Sequence, residues 1–182
     1  MQFSMKQKVF SIKQKFNITD MNGEPVYEVE GKLLSFGNKL TVRDMAGNDL
    51  VHIHQKVLSL VPKYFIEEEG KEEVELKGHI TLLRPHYTLE ADDGNWEIRG
   101  EFGEHEYEMF RGEELIGTVN KKWFSWGDSY VLTVVHDEDV LRAVGVMIAL
   151  DCILDAEAAG RAATFAAGGA AATAAANKNS DD

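Results

Sequence analysis

Short stretches in which polar and apolar residues alternate occupy most of the chain. In Lys15–Thr19 and Tyr87–Ala91 every second residue is apolar, which is typical of β-strands with one buried face. Turn-forming dipeptides such as Asn22-Gly23 and Asp93-Gly94 separate these stretches. We therefore predict that residues 8–135 are almost entirely β-strand and turn.

Residues 137–156 do not follow this alternation. Three acidic residues come first, and acidic side chains favour the start of a helix. Between Val140 and Leu154 the only charged residues are Arg142 and Asp151, so a helix here has apolar side chains on all sides. Such a helix is buried in protein or in lipid. Its uninterrupted apolar run, Ala143–Leu150, is much shorter than the roughly 20 residues of a membrane span. We therefore predict a buried core helix, with a membrane anchor as the alternative.

The strands fall into two similar halves. Phe16–Gly23 parallels Tyr87–Gly94, and Gly47–Lys56 parallels Gly112–Lys121 with identical offsets. Each half contains about six strands, and the period is too long for a solenoid repeat. A closed barrel of about 12 antiparallel strands is wide enough to contain a helix. We therefore predict a mainly β fold, a closed barrel in two pseudo-repeats around a central hydrophobic C-terminal helix.

One domain and a tail account for the length of the chain. We predict the barrel with its helix over residues 1–156 and an alanine-rich tail over residues 157–182. The tail has ten alanines after Arg161 and the pair Gly168-Gly169. Alanine favours helix, but the tail offers little apolar surface for packing, so we expect a frayed helix or disorder.

Small residues and the cysteine of the chain lie on the predicted helix. We expect Gly145 and Ala149 to lie where barrel side chains crowd the helix. Contact with a second helix, which small residues also permit, is the alternative.

Cys152 is the single cysteine and cannot form an internal disulfide. Its apolar surroundings predict a buried, unreactive thiol.

The charge favours some classes of partner over others. The net charge of -12 argues against general nucleic-acid binding, which needs a basic surface. Residues 1–66 nevertheless contain 9 Lys and Arg against 6 Asp and Glu, so this part can carry a basic face. The start of the chain lacks the apolar core of a signal peptide. We expect a cytoplasmic protein, attached peripherally to a membrane if lipid is its ligand.

Several segments resemble one known family. Lys121–Tyr130, with the sequence KKWFSWGDSY, is the most specific of them. Met5–Lys8, Gln55–Leu60 and the acidic-then-apolar final helix support it. With these features the chain resembles the LURP-one-related family, bacterial type, over roughly residues 1–155.

The resemblance implies a tubby-like barrel of about twelve strands around a hydrophobic C-terminal helix, since the family is grouped with tubby C-terminal domains and phospholipid scramblases. Tubby domains bind phosphoinositide head groups, scramblase relatives act at membranes, and plant LURP-one proteins are linked to pathogen defence. The residues with which tubby domains bind lipid match no position here, so none is carried over.

Lys121, Lys122 and Trp123 form the candidate ligand-binding surface, with Lys56 at the matching place in the first half. Two cations can bind a phosphate, and a neighbouring indole can lie at a lipid interface. The alternative is that Trp123 packs in the barrel while the lysines are solvated. The front lysines that can extend a basic face, or instead protect an edge strand, are Lys6, Lys8, Lys13 and Lys15.

Other combinations of reactive side chains are incomplete. His52 and His54 share one face of a strand, but the chain has no cysteine pair to complete a zinc site. Asp92-Asp93-Gly94 lacks the downstream ligands of a calcium loop. The chain has neither a glycine-rich phosphate loop nor a nucleophile elbow. We therefore predict no catalytic residue, no metal site, no cofactor and no enzymatic activity.

These observations favour a non-enzymatic intracellular binding domain whose candidate ligand is an anionic phospholipid head group or membrane surface. The alternative is a structural or protein-interaction scaffold that binds a protein partner and no lipid. A scramblase-like membrane protein is the third possibility. We expect no nucleic-acid partner.

Overall fold

The structure is a computed structural model that describes the backbone of residues 1–6, 13–34, 37–81, 84–101, 106–124 and 127–176. Within those ranges, side chains are left out for residues 6, 13–14, 32–34, 122–124, 127–128 and 162–176. The first residues of the predicted strand region, 8–12, and the last six residues of the predicted tail therefore lie outside the described residues.

The described residues form twelve strands. They are β1 (Gln2–Lys6), β2 (Lys13–Thr19), β3 (Pro25–Leu34), β4 (Gly37–Asp44), β5 (Asp49–Gln55), β6 (Lys63–Glu68), β7 (Val74–Gly78), β8 (His86–Glu90), β9 (Trp96–Gly100), β10 (Glu106–Arg111), β11 (Glu114–Phe124) and β12 (Gly127–Val134). Each strand pairs antiparallel with its neighbours in sequence, and β1 pairs with β12 to close the barrel. The predicted closed antiparallel barrel of 12 strands is confirmed.

The alternation along each strand places one set of side chains inside the barrel. In β5, Val51 and Ile53 are buried while His52 between them is exposed. In β9, Trp96 and Ile98 are buried and Arg99 is exposed. Successive side chains of a strand point to opposite faces of a sheet, so the inward positions form a continuous apolar lining.

The two predicted halves correspond to equivalent hairpins. Gly23 in the β2–β3 turn and Gly94 in the β8–β9 turn have φ of +88° and +120°. Gly47 in the β4–β5 turn and Gly112 in the β10–β11 turn have φ of +93° and +62°. Side chains disfavour this left-handed region, which explains why glycine occupies all four turns.

A short 3-10 helix, Asp137–Asp139, leads into the single α-helix, α1 (Val140–Ala176). Within the compact unit Met1–Ala149, the helical residues Val144, Met147 and Ile148 are completely buried, as predicted. A Cβ added to Gly145 would lie 2.8 Å from Ile66 Cγ2 and 3.6 Å from Val51 Cγ1. The helix therefore packs directly against β5 and β6, and Gly145 permits this close approach.

Leu150–Asp182 forms a second compact unit, which contains the remainder of α1. Leu150, Cys152 and Ile153 have buried side chains, whereas residues 156–161 are exposed. The helix extends to Ala176, beyond its predicted end at residue 156, in keeping with the high helix propensity of alanine. The fraying expected of the tail stays a prediction. Among the described residues, no helix combines the length and apolar character that crossing a membrane requires.

A group of charged side chains, here called the ion cluster, surrounds the start of α1 and consists of Glu68, Asp93, Arg111, Asp139 and Arg142. Arg142, only 4% exposed, donates from Nε to Glu68 Oε1 at 2.8 Å and from Nη1 to Asp93 Oδ1 at 2.6 Å. Arg111 pairs with Asp139 just before α1. Because a buried charge is tolerated only with its partners, these pairs fix the start of α1 against β6, β10 and the β8–β9 turn.

Two further side chains complete the surroundings of the ion cluster. The buried Trp96 ring lies 5.4 Å from the Arg142 guanidinium and 5.9 Å from that of Arg111, within the range of cation–π attraction. Lys71 Nζ lies 2.7 Å from Glu68 Oε2. Glu68 therefore has two cationic partners and Arg142 two anionic ones.

Adding one methyl group at position 145 tests the packing of α1. Gly→Ala in a helix normally stabilises by about 0.5–1 kcal/mol. In Gly145→Ala the new Cβ clashes with Ile66, so we expect a lower free energy of unfolding in urea. Gly160→Ala is the matched control, since a Cβ at that exposed position meets nothing within 4 Å. Stabilisation by both substitutions would contradict the close packing.

Replacing Arg142 tests the ion cluster. Arg142→Met leaves the buried Glu68 carboxylate without one of its cations, and we expect a loss of about 3 kcal/mol or more in the free energy of unfolding. Arg142→Lys retains the charge but not the planar fork that bridges two carboxylates, so its loss should be smaller. An Arg142→Met variant as stable as the parent in urea unfolding would show that the cluster contributes nothing.

The pH dependence of stability follows from Asp93. The hydrogen bond from Arg142 holds the pKa of the Asp93 carboxyl below its ordinary value of 3.8. A carboxyl with a lowered pKa contributes stability above its unfolded-state pKa and loses it as the pH falls through the folded-state value. We expect Asp93→Asn to be less stable than the parent at neutral pH, and the difference to shrink in acid. The exposed neighbour gives the control, Asp92→Asn; a pH-independent difference for Asp93→Asn would contradict this.

Candidate ligand-binding surface

The connections between strands lie at two ends of the barrel, because consecutive strands run in opposite directions. The β2–β3, β4–β5, β6–β7, β8–β9 and β10–β11 turns lie at the end where α1 starts, here called the helix-entry end. The β5–β6 and β7–β8 connections lie at the opposite end, here called the lysine end. Each charged residue of the strands, their connections and the start of α1 can therefore be assigned to the half of the barrel nearer one of these ends.

The half nearer the helix-entry end is strongly acidic. It contains 20 described Asp and Glu residues: Asp20, Glu24, Glu28, Asp44, Asp49, Glu67, Glu68, Glu69, Glu72, Glu73, Glu75, Glu90, Asp92, Asp93, Glu97, Glu113, Glu114, Asp137, Glu138 and Asp139. The four described cations there, Arg43, Lys71, Arg111 and Arg142, each form an ion pair. This half has no cation among the described residues that is available to an anionic ligand.

Turn formation explains part of this acidity. Asp20 Oδ1 accepts hydrogen bonds from the backbone N–H groups of Glu24 at 2.9 Å and Asn22 at 2.8 Å. Asp44 accepts one from the Asn48 side chain at 2.7 Å and one from its backbone at 2.9 Å. These bonds, chiefly those from Glu24 N and the Asn48 side chain, lower the pKa of the two carboxyls. The acidic residues are therefore part of the turns themselves.

The half nearer the lysine end has the opposite charge. Its eight described cationic side chains are Lys15, Lys39, Lys56, Lys63, Lys77, Arg84, Arg99 and Lys121. By strand position Lys6, Lys13, Lys32 and Lys122 belong to the same half. The described acidic side chains in the strands and connections of this half are four, namely Glu30, Glu101, Glu106 and Glu108. A chain with a net charge of -12 thus has a basic end, where an anionic surface would be attracted.

The lysines differ in how strongly they are engaged. Lys15 Nζ lies 3.0 Å from Glu28 Oε1, and Lys63 Nζ lies 2.7 Å from Glu75 Oε1. Lys39, Lys56 and Lys77 form no ion pair with a described residue. The Lys56 ammonium instead lies 5.7 Å from the Phe65 ring centroid. No described carboxylate offsets the charges of Lys39, Lys56 and Lys77, so these lysines can act on an external ligand.

The structure places the predicted site residues at two positions around the barrel. Lys121 lies on β11, with its ammonium 5.8 Å from the Tyr130 ring centroid. Lys122 and Trp123 follow on β11 and pair with Ser129 and Asp128, while their side chains lie outside the description. Lys56 directly follows β5, which is six places from β11 around the barrel of 12 strands. Lys56 and Lys121 therefore lie on opposite sides of the same end.

The strand register also changes the equivalence between the two halves. Tyr64 is opposite Gln55, and its counterpart Tyr130 is opposite Lys121. Gln55, and not Lys56, is thus the structural equivalent of Lys121. Each of these two strands contains a β-bulge, which leaves one residue out of the pairing with the neighbouring strand. In β5 this residue is Leu50, and in β11 the bulged residue lies one position later in the repeat. The bulges therefore explain the difference of one residue.

The comparison with known sequences agrees with this architecture. The sequence profile of the LURP-one-related family matches residues 1–151, which include all twelve strands. The chain belongs to the LURP-one-related family. It is similar to the uncharacterized protein YxjI of Bacillus subtilis (strain 168), with 39% identity over 150 residues, which cover 82% of this chain and 91% of that protein. No solved structure matches the chain.

This LURP-one-related barrel also has an outer groove of about 720 Å³ across β8–β11, which the sequence did not predict. In it His86 Nε2 lies 2.9 Å from Glu97 Oε1, and Arg99 Nη2 donates to Glu97 Oε2 at 2.6 Å. The Arg99 hydrogen bond is the chief cause that lowers the pKa of Glu97. The groove lining contains Arg84 and Arg99 against Glu97, Glu101, Glu106 and Glu108. This side of the barrel therefore offers an anion less net attraction than the lysines on β4–β7 do.

Two histidines beside the groove come together through the β7–β8 connection. The His79 backbone N–H donates to His86 O at 2.9 Å, and the two imidazole rings stack at 4.8 Å. Burial, with the nearby His86 and Lys77 as further causes, lowers the pKa of His79. Among the described residues, no three His, Cys, Asp or Glu side chains converge as metal ligands.

Proposed function

We propose that this LURP-one-related protein is a non-enzymatic peripheral binding domain whose lysine end contacts anionic phospholipid surfaces. The observation that carries the proposal is the separation of charge along the barrel axis. Among the described side chains, the half nearer the lysine end has eight cations against four carboxylates, and the other half has 20 carboxylates against four cations. An anionic bilayer attracts such a molecule by one end and repels the other. The charge separation therefore also gives the bound barrel a preferred orientation.

The distance between the two ends makes the attraction effective despite the acidic net charge. β5 has 7 residues, which at about 3.3 Å per residue and a tilt of about 40° cover roughly 18 Å along the barrel axis. The Debye length at physiological ionic strength is about 8 Å. When the lysine end faces a membrane, the acidic end is about two Debye lengths further away, and its repulsion is largely screened.

A pair of variants with equal net charge tests this proposal. Lys56→Gln with Lys121→Gln removes two cations from the lysine end, and Met21→Glu with Met45→Glu adds two anions to exposed turn residues at the helix-entry end. Both change the net charge from -12 to -14. Each cation near an anionic membrane contributes about 1 kcal/mol, so the first pair should weaken binding by about 30-fold and the second by much less.

The measurement is flotation with vesicles of phosphatidylcholine that contain about 30% phosphatidylserine, over a range of salt concentrations. Binding should decrease as salt rises, since exposed charges are screened. Pure phosphatidylcholine vesicles give the uncharged control. Equal weakening by both variants would show that only net charge matters. Absence of binding by the parent protein would reject the lipid ligand and favour the protein-interaction scaffold.

A further inference from the structure

The lysine end also exposes apolar side chains on two connections. In the β5–β6 connection (residues 56–62), Leu58 and Leu60 are fully exposed, and Val57 is 44% exposed. In the β7–β8 connection, Ile80 is 86% exposed. Single exposed apolar residues are common on proteins, but several of them on neighbouring connections usually indicate an interaction site.

The backbone of the β5–β6 connection is firmly attached to the barrel. The Lys56 N–H donates to Lys63 O at 3.0 Å, and the Gly78 N–H donates to Pro62 O at 2.8 Å. Val57 packs on β4, where a Cβ added to Gly37 would lie 2.8 Å from Val57 Cγ2. The two leucines are thus presented to solvent by a connection that is fixed at both of its ends.

Leu58 has an unusual backbone conformation for a leucine. Its φ is +64°, and no other described residue except glycine has a positive φ. A side chain makes this region unfavourable, and Asn or Gly adopts it more easily. Folding alone therefore does not explain a fully exposed leucine at this position, whereas an external apolar partner does.

The charges around these connections identify the partner. β5, β6, β7 and β8 are consecutive in the barrel, so the two connections are neighbours at the lysine end. Lys56 and Lys77, which form no ion pair with a described residue, lie at the edges of these connections. Lys63 and Arg84 lie there too, paired with Glu75 and Glu101. Apolar side chains surrounded by cations match the acyl-chain boundary and the phosphate layer of an anionic membrane.

We propose that Leu58, Leu60 and Ile80 insert into the apolar boundary of an anionic bilayer, while the surrounding cations contact the head groups. The inference rests on the proposed function, since it requires that the lysine end faces the membrane. It goes further by assigning the β5–β6 connection as the principal insertion element. Binding should then have an apolar component that salt does not remove.

A double substitution removes this apolar component without a change of charge. Leu58→Asn with Leu60→Asn suits the positive φ at position 58, so the variant should fold as the parent does, which thermal unfolding checks. We expect roughly tenfold weaker binding to the phosphatidylserine vesicles at low salt, and loss of the residual binding of the parent at about 0.5 M salt. The matched control is Met21→Asn with Met45→Asn, which removes two exposed apolar side chains from the helix-entry end.

A fluorescent label tests insertion directly. The native Cys152 is buried, so Leu60→Cys can be labelled selectively with a nitrobenzoxadiazole group, and Met45→Cys provides the control. On the same vesicles we expect a blue shift and quenching by lipids with spin-labelled chains for the label at position 60 only.

The outcomes separate the two proposals. Failure of the parent to bind any anionic vesicle would reject the proposed function together with the insertion. Binding that the leucine variant retains at all salt concentrations, with an unshifted label at position 60, would reject only the insertion. A blue shift without vesicles, together with dimerisation that Leu58→Asn and Leu60→Asn abolish, would show that the leucines contact a second copy of this chain and would also overturn the insertion.

Discussion

The interior of a closed twelve-stranded barrel is too wide to be filled by the side chains of its strands alone, and the whole structure depends on filling it. The first turns of α1 occupy this space, with Val144, Met147 and Ile148 buried. The approach at Gly145 is so close that Ile66 leaves no room for a methyl group. The number of strands and the presence of the helix therefore depend on each other. The helix needs an apolar enclosure, and a barrel of this width needs a helix to fill its interior.

The helix is also positioned along the barrel, and charges accomplish this. Apolar contacts are not directional, so apolar packing alone would permit the helix to slide or rotate. Arg142 and Asp139 remove this freedom, because each has a specific partner at the helix-entry end. The attraction within these pairs offsets the cost of burying the ions, and it selects one arrangement of helix and barrel. Acidic turn residues surround the cluster, and most of the lysines lie at the opposite end of the barrel.

The fold could be predicted from local patterns, and the surface could not. Three patterns predicted the fold, and each depends on residues that are neighbours in the sequence. They are the alternation along strands such as Tyr87–Ala91, the glycines in the turns and the apolar side chains on all sides of the final helix. The charge pattern depends on strand direction: Lys39 and Asp44 lie on one strand but at opposite ends of the barrel. In the sequence this separation is visible only as an excess of cations in the first third.

The candidate site shows the same limit. Lys56 and Lys121 match in the repeat, yet half a circumference separates them, because the repeat itself generates the barrel. The one-residue displacement of a β-bulge cannot be read from residue types that suit either register. Arg142 was visible only as an interruption of an apolar run, since its partners Glu68 and Asp93 are 74 and 49 residues away.

The pairing of β1 with β12 has a consequence for the order of events in folding. Phe3 is opposite Leu132, so the first strand obtains its second neighbour only when nearly the entire domain exists. The residues that fill the interior come later still, from Val140 onward. During synthesis the growing sheet must therefore remain open, with an unpaired edge and an unfilled apolar face. Contacts between such distant parts of a chain make folding slow, and partly formed sheets of this kind are prone to associate. The architecture that pairs both edges of the sheet in the mature barrel thus leaves the nascent form open to association until the last strand and helix emerge.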